Sequence, residues 1–411
     1  MKRHYFKSAR VIIAWSRTIA LLICGPCLIL SAPAAKTADK SKSAEELAAN
    51  GDWTQESFNA AHTGYNRFET QINRNNVGSL TELWVSQVGL GGISSSPVVA
   101  YGKVYLGSGD GYVYAFDAMT GATAWVGEQQ SSFFTNSPAV GFGLVFSHTL
   151  FGAIKAYDAE TGAIVWTSQD ALNLRASPTL NGSVLYVGSE NGTLYALDAR
   201  TGTMIWSARP DEEFPGVFNQ AATVAGDRVF QPRVDDFDNR IWAYDKKTGE
   251  LLWSKRYGLG HAMSAVQDKL FAVDPPNLFQ LDQATGHEWW SAPLANEGGT
   301  DSNPSVAHGM VFVAQGAGLQ ALDAKTGALI WIVPSAGGIQ SPTVANGVVY
   351  APNVNGEWDA YDARDGTLLW SVTISSACGG QCTNATVVVA HGIVYLAGPD
   401  SFLRAYSVPS Q

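Results

Sequence analysis

The sequence predicts an all-β fold, an eight-bladed β-propeller of four-stranded blades, and three observations lead there. Seven times an aspartate is followed four residues later by glycine and eight residues later by tryptophan. Successive tryptophans stand 37 to 47 residues apart, mostly 39 to 41, which is the period of one four-stranded blade. The two ends of the repeat region complement each other. Trp84 has no repeat in front of it, and Leu403-Arg404-Ala405-Tyr406-Ser407 reproduces the strand before the turn with no tryptophan after it.

Each repeat reads as a β-hairpin: an alternating strand runs into a turn and a second strand leaves it. The aspartates (Asp117, Asp158, Asp198, Asp245, Asp282, Asp323, Asp362) open the turns by accepting from backbone amides. The glycines four residues on accept the left-handed conformation. Two residues before each aspartate stands alanine, with Gln280 the exception. This small residue is expected to let neighbouring sheets approach. The tryptophans Trp125, Trp166, Trp206, Trp253, Trp290, Trp331 and Trp370, with Trp84 as the eighth, then fill the gap from one sheet to the next. Pairing the strand around Trp84 with the C-terminal strands closes the ring and removes the exposed sheet edges.

The repeats leave no room for a second domain, so residues 84–411 are assigned to the propeller. Residues 1–35 read as a signal peptide. Lys2, Arg3, Lys7, Arg10 and Arg17 precede or flank an apolar run, Ile19 to Leu30, and a small-residue stretch offers cleavage after Ala34 or Ala35. An uncleaved anchor is the competing reading. Residues 36–52 are polar and without apolar periodicity, which suggests a flexible linker. The mature chain is expected to be exported, periplasmic or extracellular, monomeric and without a transmembrane helix. Removing residues 1–35 takes away five positive charges and no negative ones, moving the net charge from −10 to −15. Such a surface repels nucleic acid and anionic lipid.

Cys24-Gly25-Pro26-Cys27 has the spacing of a thioredoxin-type redox motif but lies inside the signal. Bulky Ile23 before Cys24 argues against lipid attachment there. Cys378 and Cys382 enclose a tiny loop, and in an oxidising compartment a disulfide between them stabilises by about 2 kcal/mol. A structural staple is favoured over redox activity.

Ligands of propellers are sought where the chain leads into each innermost strand. Here Ser96-Pro97, Ser137-Pro138, Ser177-Pro178, Asn303-Pro304 and Ser341-Pro342 mark those positions, and Ala221-Ala222, Ser264-Ala265 and Ala385-Thr386 complete eight. The residues just before form a ring of Ser95, Asn136, Ala176, Gln220, Met263, Ser302, Gln340 and Asn384, none of them charged. One step out lie Arg175, Asn219 and Asp301, with His261 close by. Asn136, Arg175, Asn219, Gln220, His261, Asp301, Gln340 and Asn384 are therefore the candidate ligand-binding set. Arg175 and Asp301 suit recognition of a polar ligand, and His261 suits acid or base work near neutral pH. The competing reading makes them solvated loop residues or partners of each other.

No catalytic or metal-binding residue is assigned. Asp235-Asp236-Phe237-Asp238 lacks the spaced ligands and glycine of a calcium loop. His287-Glu288-Trp289-Trp290 has no second histidine at zinc spacing and falls in a hairpin. The mature chain carries neither a nucleophile elbow nor a phosphate loop. Sequons stand at Asn181, Asn191 and Asn384, the first two of them Asn-Gly turns.

The run Ala-x-Asp-Ala-x-Thr-Gly-x-x-x-Trp, clean at Ala156 to Trp166 and Ala321 to Trp331, resembles the tryptophan-docking repeat of the pyrroloquinoline quinone (PQQ) propeller superfamily. The segment with Asp52-Trp53, His62-Thr63-Gly64-Tyr65-Asn66-Arg67, Gln71-Ile72-Asn73 and Asn76-Val77-Gly78-Ser79-Leu80 also looks like that family's N-terminal strap, placed at 53–83. Quinoprotein dehydrogenases of this superfamily oxidise alcohols or sugars. The resemblance implies PQQ held between a tryptophan and a vicinal disulfide, with calcium, an aspartate and an arginine. This chain has no adjacent cysteines and no Cys-x-x-Cys-His haem site. The other branch resembles the non-catalytic propeller subunit of the outer-membrane β-barrel assembly machine. Fold and activity separate readily. The expectation is an exported binding or protein-interaction scaffold of the cell envelope, without a cofactor, whose partner is an envelope protein or a small ligand. The alternative is a PQQ-dependent oxidoreductase acting on alcohols or sugars with PQQ and calcium.

Overall fold

A computed structural model describes residues 39–89, 91–93, 95–130, 136–210, 217–233, 240–257, 262–295, 302–315, 318–334, 340–353, 356–374, 386–398 and 400–409. Eight sheets form the propeller. In blade 3 the strands Thr179–Asn181, Val184–Gly188, Leu194–Asp198 and Met204–Ala208 pair antiparallel in sequence order. Blades 1 to 7 repeat that order from Val98 to Thr373. The first strands of neighbouring blades touch all the way round, blade 8 meeting blade 1, which puts them at the centre. Blade 8 is composite, as expected. Its strands Thr386–Ala390, Ile393–Ala397 and Phe402–Ser407 are completed by Thr81–Gln87, with Trp84 opposite Ala405.

The repeat works at the joint between blades. Asp198 Oδ1 accepts from the amides of Arg200 and Thr201 and from the Thr201 hydroxyl, and the Gly202 amide donates to Asp198 O. This turn sits under the tryptophan of the preceding blade. A Cβ on Gly202, at φ 72°, would lie 2.6 Å from the Trp166 ring, and the Trp166 indole donates to Ala199 O at 3.2 Å. Trp84, Trp125, Trp206, Trp253 and Trp331 donate in the same way to the residue after the next blade's aspartate.

The conserved-looking alanine has a different role from the one expected. It lies directly across the hairpin from its own blade's tryptophan, as Ala196 does from Trp206 and Ala321 from Trp331. A methyl group there leaves the indole free to lean onto the next blade. At Trp290 the facing residue is Gln280, whose amide donates to Ala324 O, the carbonyl that an indole takes elsewhere. The Trp290 indole nitrogen is buried without a partner among the described residues.

Residues 39–52, expected within a flexible linker, are docked instead. Ser43 caps the short helix Ala44–Ala48 through a reciprocal bond with Glu46, and Ala44, Leu47 and Ala48 are buried against blades 1 to 3. Glu45 Oε1 accepts from Asn181 Nδ2 and the Gly182 amide in the first hairpin turn of blade 3. The patterned segment is too short for helical periodicity to register, and its partners are backbone amides of distant turns.

The strap then visits the innermost strands of all eight blades in order. Trp53 exchanges backbone bonds with Val99, Thr54 O accepts from Val140, and the Gln55 amide brackets Leu180. The carbonyls of Ala60, Ala61, Thr63 and Gly64 accept from Val224, Ala265, Val306 and Val344, and Asn66 Nδ2 donates to Val389 O. All eight contacts lie towards the first hairpin turns, so the strap fills that end of the channel. His62 is buried at its centre, its ring nitrogens 3.5 and 3.3 Å from the hydroxyls of Thr179 and Thr223. Burial pushes its pKa down.

Two outcomes are expected. Trp125→Phe removes an indole bond and should lower unfolding stability by about 1 kcal/mol more than Trp290→Phe, which removes none; paired denaturant melts measure this. The second concerns His391 Nε2, 2.6 Å from Asp52 Oδ1. The hydrogen bond to Asp52 raises the His391 pKa against a smaller desolvation effect, and the charges of Asp52 and Glu69 add to the rise. The contribution of this pair is therefore complete below about pH 6.5 and is lost as pH rises through the elevated value. Hydrogen-exchange protection at Asp52 and Trp53, taken relative to the intrinsic exchange rate at each pH, should fall across that window in wild type and stay level in Asp52→Asn.

Candidate functional site

At the channel end opposite the strap, the chain leads into each first strand. The serines that mark these entries hold neighbouring blades together. The Ser137 hydroxyl accepts from the Ser96 amide at 3.0 Å, the Ser177 hydroxyl from the Ser137 amide at 3.0 Å, and the Ser341 hydroxyl from the Asn303 amide at 2.9 Å. Ser95 Oγ both donates to and accepts from Gly107. The serines before the prolines are thus inter-blade ties.

Of the candidate residues, Asn136 is buried with its amide nitrogen 3.3 Å from Nε2 of His148. His148 directly follows the second strand of blade 2, a position that the reading of the loops overlooked. Its Nε2 lies 2.8 Å from Ala176 O and its Nδ1 3.0 Å from Thr149 O. Burial pushes the pKa down and the two carbonyls oppose this. A neutral ring donates from one nitrogen only. With that proton on Nε2, His148 ties blade 2 to Ala176 O at the entry of blade 3, and the Asn136 amide nitrogen, itself a donor, packs beside the ring without bonding to it.

Arg175 Nη1 donates to Glu190 Oε2 at 2.8 Å, with both side chains about one-third exposed. The partner lies in the same blade, 15 residues on. In blade 4, Gln220 O accepts from Gln231 Nε2 at 3.0 Å. Asn219 Oδ1 and Gln231 Oε1 are buried without a hydrogen-bond partner among the described residues. These two amide oxygens, and the Thr386 hydroxyl at the entry of blade 8, have spare capacity to accept from a ligand or water. Gln340 contributes its amide to Pro352 O. His261, Asp301, Asn384, Cys378 and Cys382 lie outside the described residues, as do the Asp235–Asp238 cluster and residues 1–38.

Polar residues ending the second strands form a further tier. Besides His148 they include Arg233, placed 5.5 Å over the Trp242 ring, Asp274, and Asn353, whose side chain closes its hairpin against Glu357. The sequence signal was a polar residue terminating an apolar run, as in Val229-Phe230-Gln231-Pro232-Arg233. Among the described residues no group of three or more His, Cys, Asp or Glu can hold a metal ion. The described part of the mouth does not supply a calcium set, so no chemical step is derived through PQQ.

A sequence profile of the family described as outer membrane protein assembly factor BamB matches residues 60–149, 150–274 and 277–409. The chain belongs to this family. It is similar to the outer membrane protein assembly factor BamB of Moranella endobia, 29% identical over 204 residues, covering 44% of this chain and 49% of that protein. It is also 25% identical over 191 residues to the tetrathionate hydrolase of Acidithiobacillus ferrooxidans, covering 40% and 38%. The chain spans about half the length of the first of these relatives and less of the second. In fold it matches the quinohemoprotein alcohol dehydrogenase of Comamonas testosteroni with a TM-score of 0.74 at 16% identity, over 92% of this chain and 84% of that one. A BamB-family chain therefore shares its ring with quinohemoproteins, and the fold alone does not separate them. No helix among the described residues is long and apolar enough to cross a membrane.

Arg175→Ala is expected to change unfolding stability by no more than about 1 kcal/mol, because its ion pair is solvated. His148→Ala, which opens a cavity and strands Ala176 O, should cost about 2–3 kcal/mol; chemical denaturation of the two variants distinguishes them.

Proposed function

We propose that this chain is an exported, non-catalytic scaffold of the cell envelope that presents the loop face of its propeller to partner proteins. The BamB-family match across residues 60–409 carries this reading. The mouth geometry supports it. The serines, His148 and Arg175 are occupied by bonds within the ring, which favours a rigid presenting surface over a reactive one. Export follows from the signal reading of residues 1–35.

A second reading, a PQQ-dependent oxidoreductase acting on alcohols or sugars, is favoured by the fold likeness to the quinohemoprotein. Adding PQQ and calcium to the purified protein, followed by gel filtration and dye-reduction assays, separates the two. The scaffold reading expects no stoichiometric retention of the quinone and no dye reduction dependent on alcohols or sugars. Retention with turnover replaces it by the second reading.

A further inference from the structure

The strap side of the ring carries a cavity of about 640 Å³ that belongs to neither the mouth nor the blade joints. It lies between the strap, the end of the helix Ala44–Ala48 and the turns of blades 5 and 6. Its volume falls in the range of small-molecule sites. Phe58, Phe68 and Phe271 supply aromatic walls, and Val306 adds an aliphatic one. Phe58 and the preceding Ser57 both adopt positive φ, 81° and 50°. This is a left-handed conformation that side chains disfavour. Phe58 is held in it by its amide bond to Gln55 O at 3.1 Å and by an edge contact with Trp53 at 5.2 Å. Backbone strain of this kind concentrates where a side chain must be aimed at a ligand.

The charge around the cavity opposes that of the whole chain. Arg67, Lys269 and Lys325 line it against one carboxylate, Glu45, in a protein of net charge −10. Both hydrogen bonds that Glu45 Oε1 accepts come from blade 3. Lys269 is shared with Asp268 at 3.3 Å. Among the described residues no carboxylate pairs with the side chain of Arg67 or Lys325, and the Arg67 guanidinium rests 4.7 Å over the Phe68 ring. Tyr65 and His308 lie 5.1 Å apart within the same wall, their rings tilted by 59°.

We infer that this cavity is a binding site for a carboxylate with an aromatic body, the ring entering between Phe58, Phe68 and Phe271 and the carboxylate meeting Arg67 and Lys325. Aromatic walls take the ring by offset or edge contacts, and guanidinium is the planar partner that a carboxylate fits. The site is on the face opposite the channel mouth. It does not rest on the scaffold reading, and its failure leaves that reading untouched.

The test titrates the protein with 3-phenylpropionate, 3-phenylpropan-1-ol and 3-phenylpropylamine, with calorimetry for affinity and the His308 ring signals in NMR for location. The carboxylate is expected to bind at least about tenfold more tightly than the alcohol, with the amine weakest, and to shift His308. The double variant Arg67→Ala/Lys325→Ala should lose that preference while its melting temperature is unchanged. Equal binding of the three compounds, saturation without a His308 shift, an intact preference in the variant, or no saturable binding of the carboxylate each overturns the proposal.

Discussion

Everything in this ring depends on one contact made between blades: an indole laid over the glycine of the neighbouring turn, its nitrogen donating to the carbonyl beside the aspartate. Three features make the contact. The turn is held open by the aspartate, the glycine lacks a Cβ where the Trp ring comes within 2.5 to 2.9 Å of the built position, and the residue opposite the indole is small except at Gln280. Seven of the eight joints are closed over a glycine in this way, and the chain adds the first of them by bringing Trp84 round to the turn after Asp117. The blade assembled from both ends of the repeat region thus docks onward like the others, but it receives its neighbour differently: Ser407 stands in place of the aspartate, no glycine follows, and Trp370 packs edge-on against Tyr406 at 5.4 Å. Blade 5 shows how the interaction tolerates a substitution. Gln280 occupies the small-residue position and supplies the missing donor from its own amide.

Much of this was legible because the residues involved have narrow conformational uses. Aspartate in a tight turn, glycine at positive φ and tryptophan at fixed spacing leave few alternatives, and seven repetitions remove those. The docking of residues 39–52 was not legible, since it rests on three small or apolar side chains and a capping box in a stretch that otherwise reads as polar. The mouth was legible in position and only partly in content. Arg175 was identified from its place before Ser177-Pro178, yet its partner Glu190 is set by the strand register of the blade. His148 escaped notice because it follows a second strand, whereas ligand residues were sought in the loops entering the first strands. The aromatic cavity on the opposite face has no local signature at all. Its walls come from the strap and from turns of blades 5 and 6, some two hundred residues apart, and only the closed ring brings them together.

The two faces consequently divide the chemistry. On the mouth side, short polar side chains tie one blade to the next and limit how far the inner strands can separate. On the strap side, backbone carbonyls of a single segment accept amides from six inner strands and the side chains of Gln55 and Asn66 serve the other two, so the channel is filled without a ring of large side chains. A propeller with one end filled in this way has its access restricted to the other, which makes the mouth the natural face for loops to vary.

The path of the strap also bears on how the chain is completed. Asn66 bonds to Val389 across 323 residues, Glu69 receives the amide of Gly392, and Trp84 pairs opposite Ala405. Contacts of such separation form late, after the intervening chain has been organised. Residues synthesised first are therefore held in waiting for residues synthesised last. A chain cut short before its final thirty residues would leave three anchors of its N-terminal segment empty together, so damage at one terminus is registered at the other.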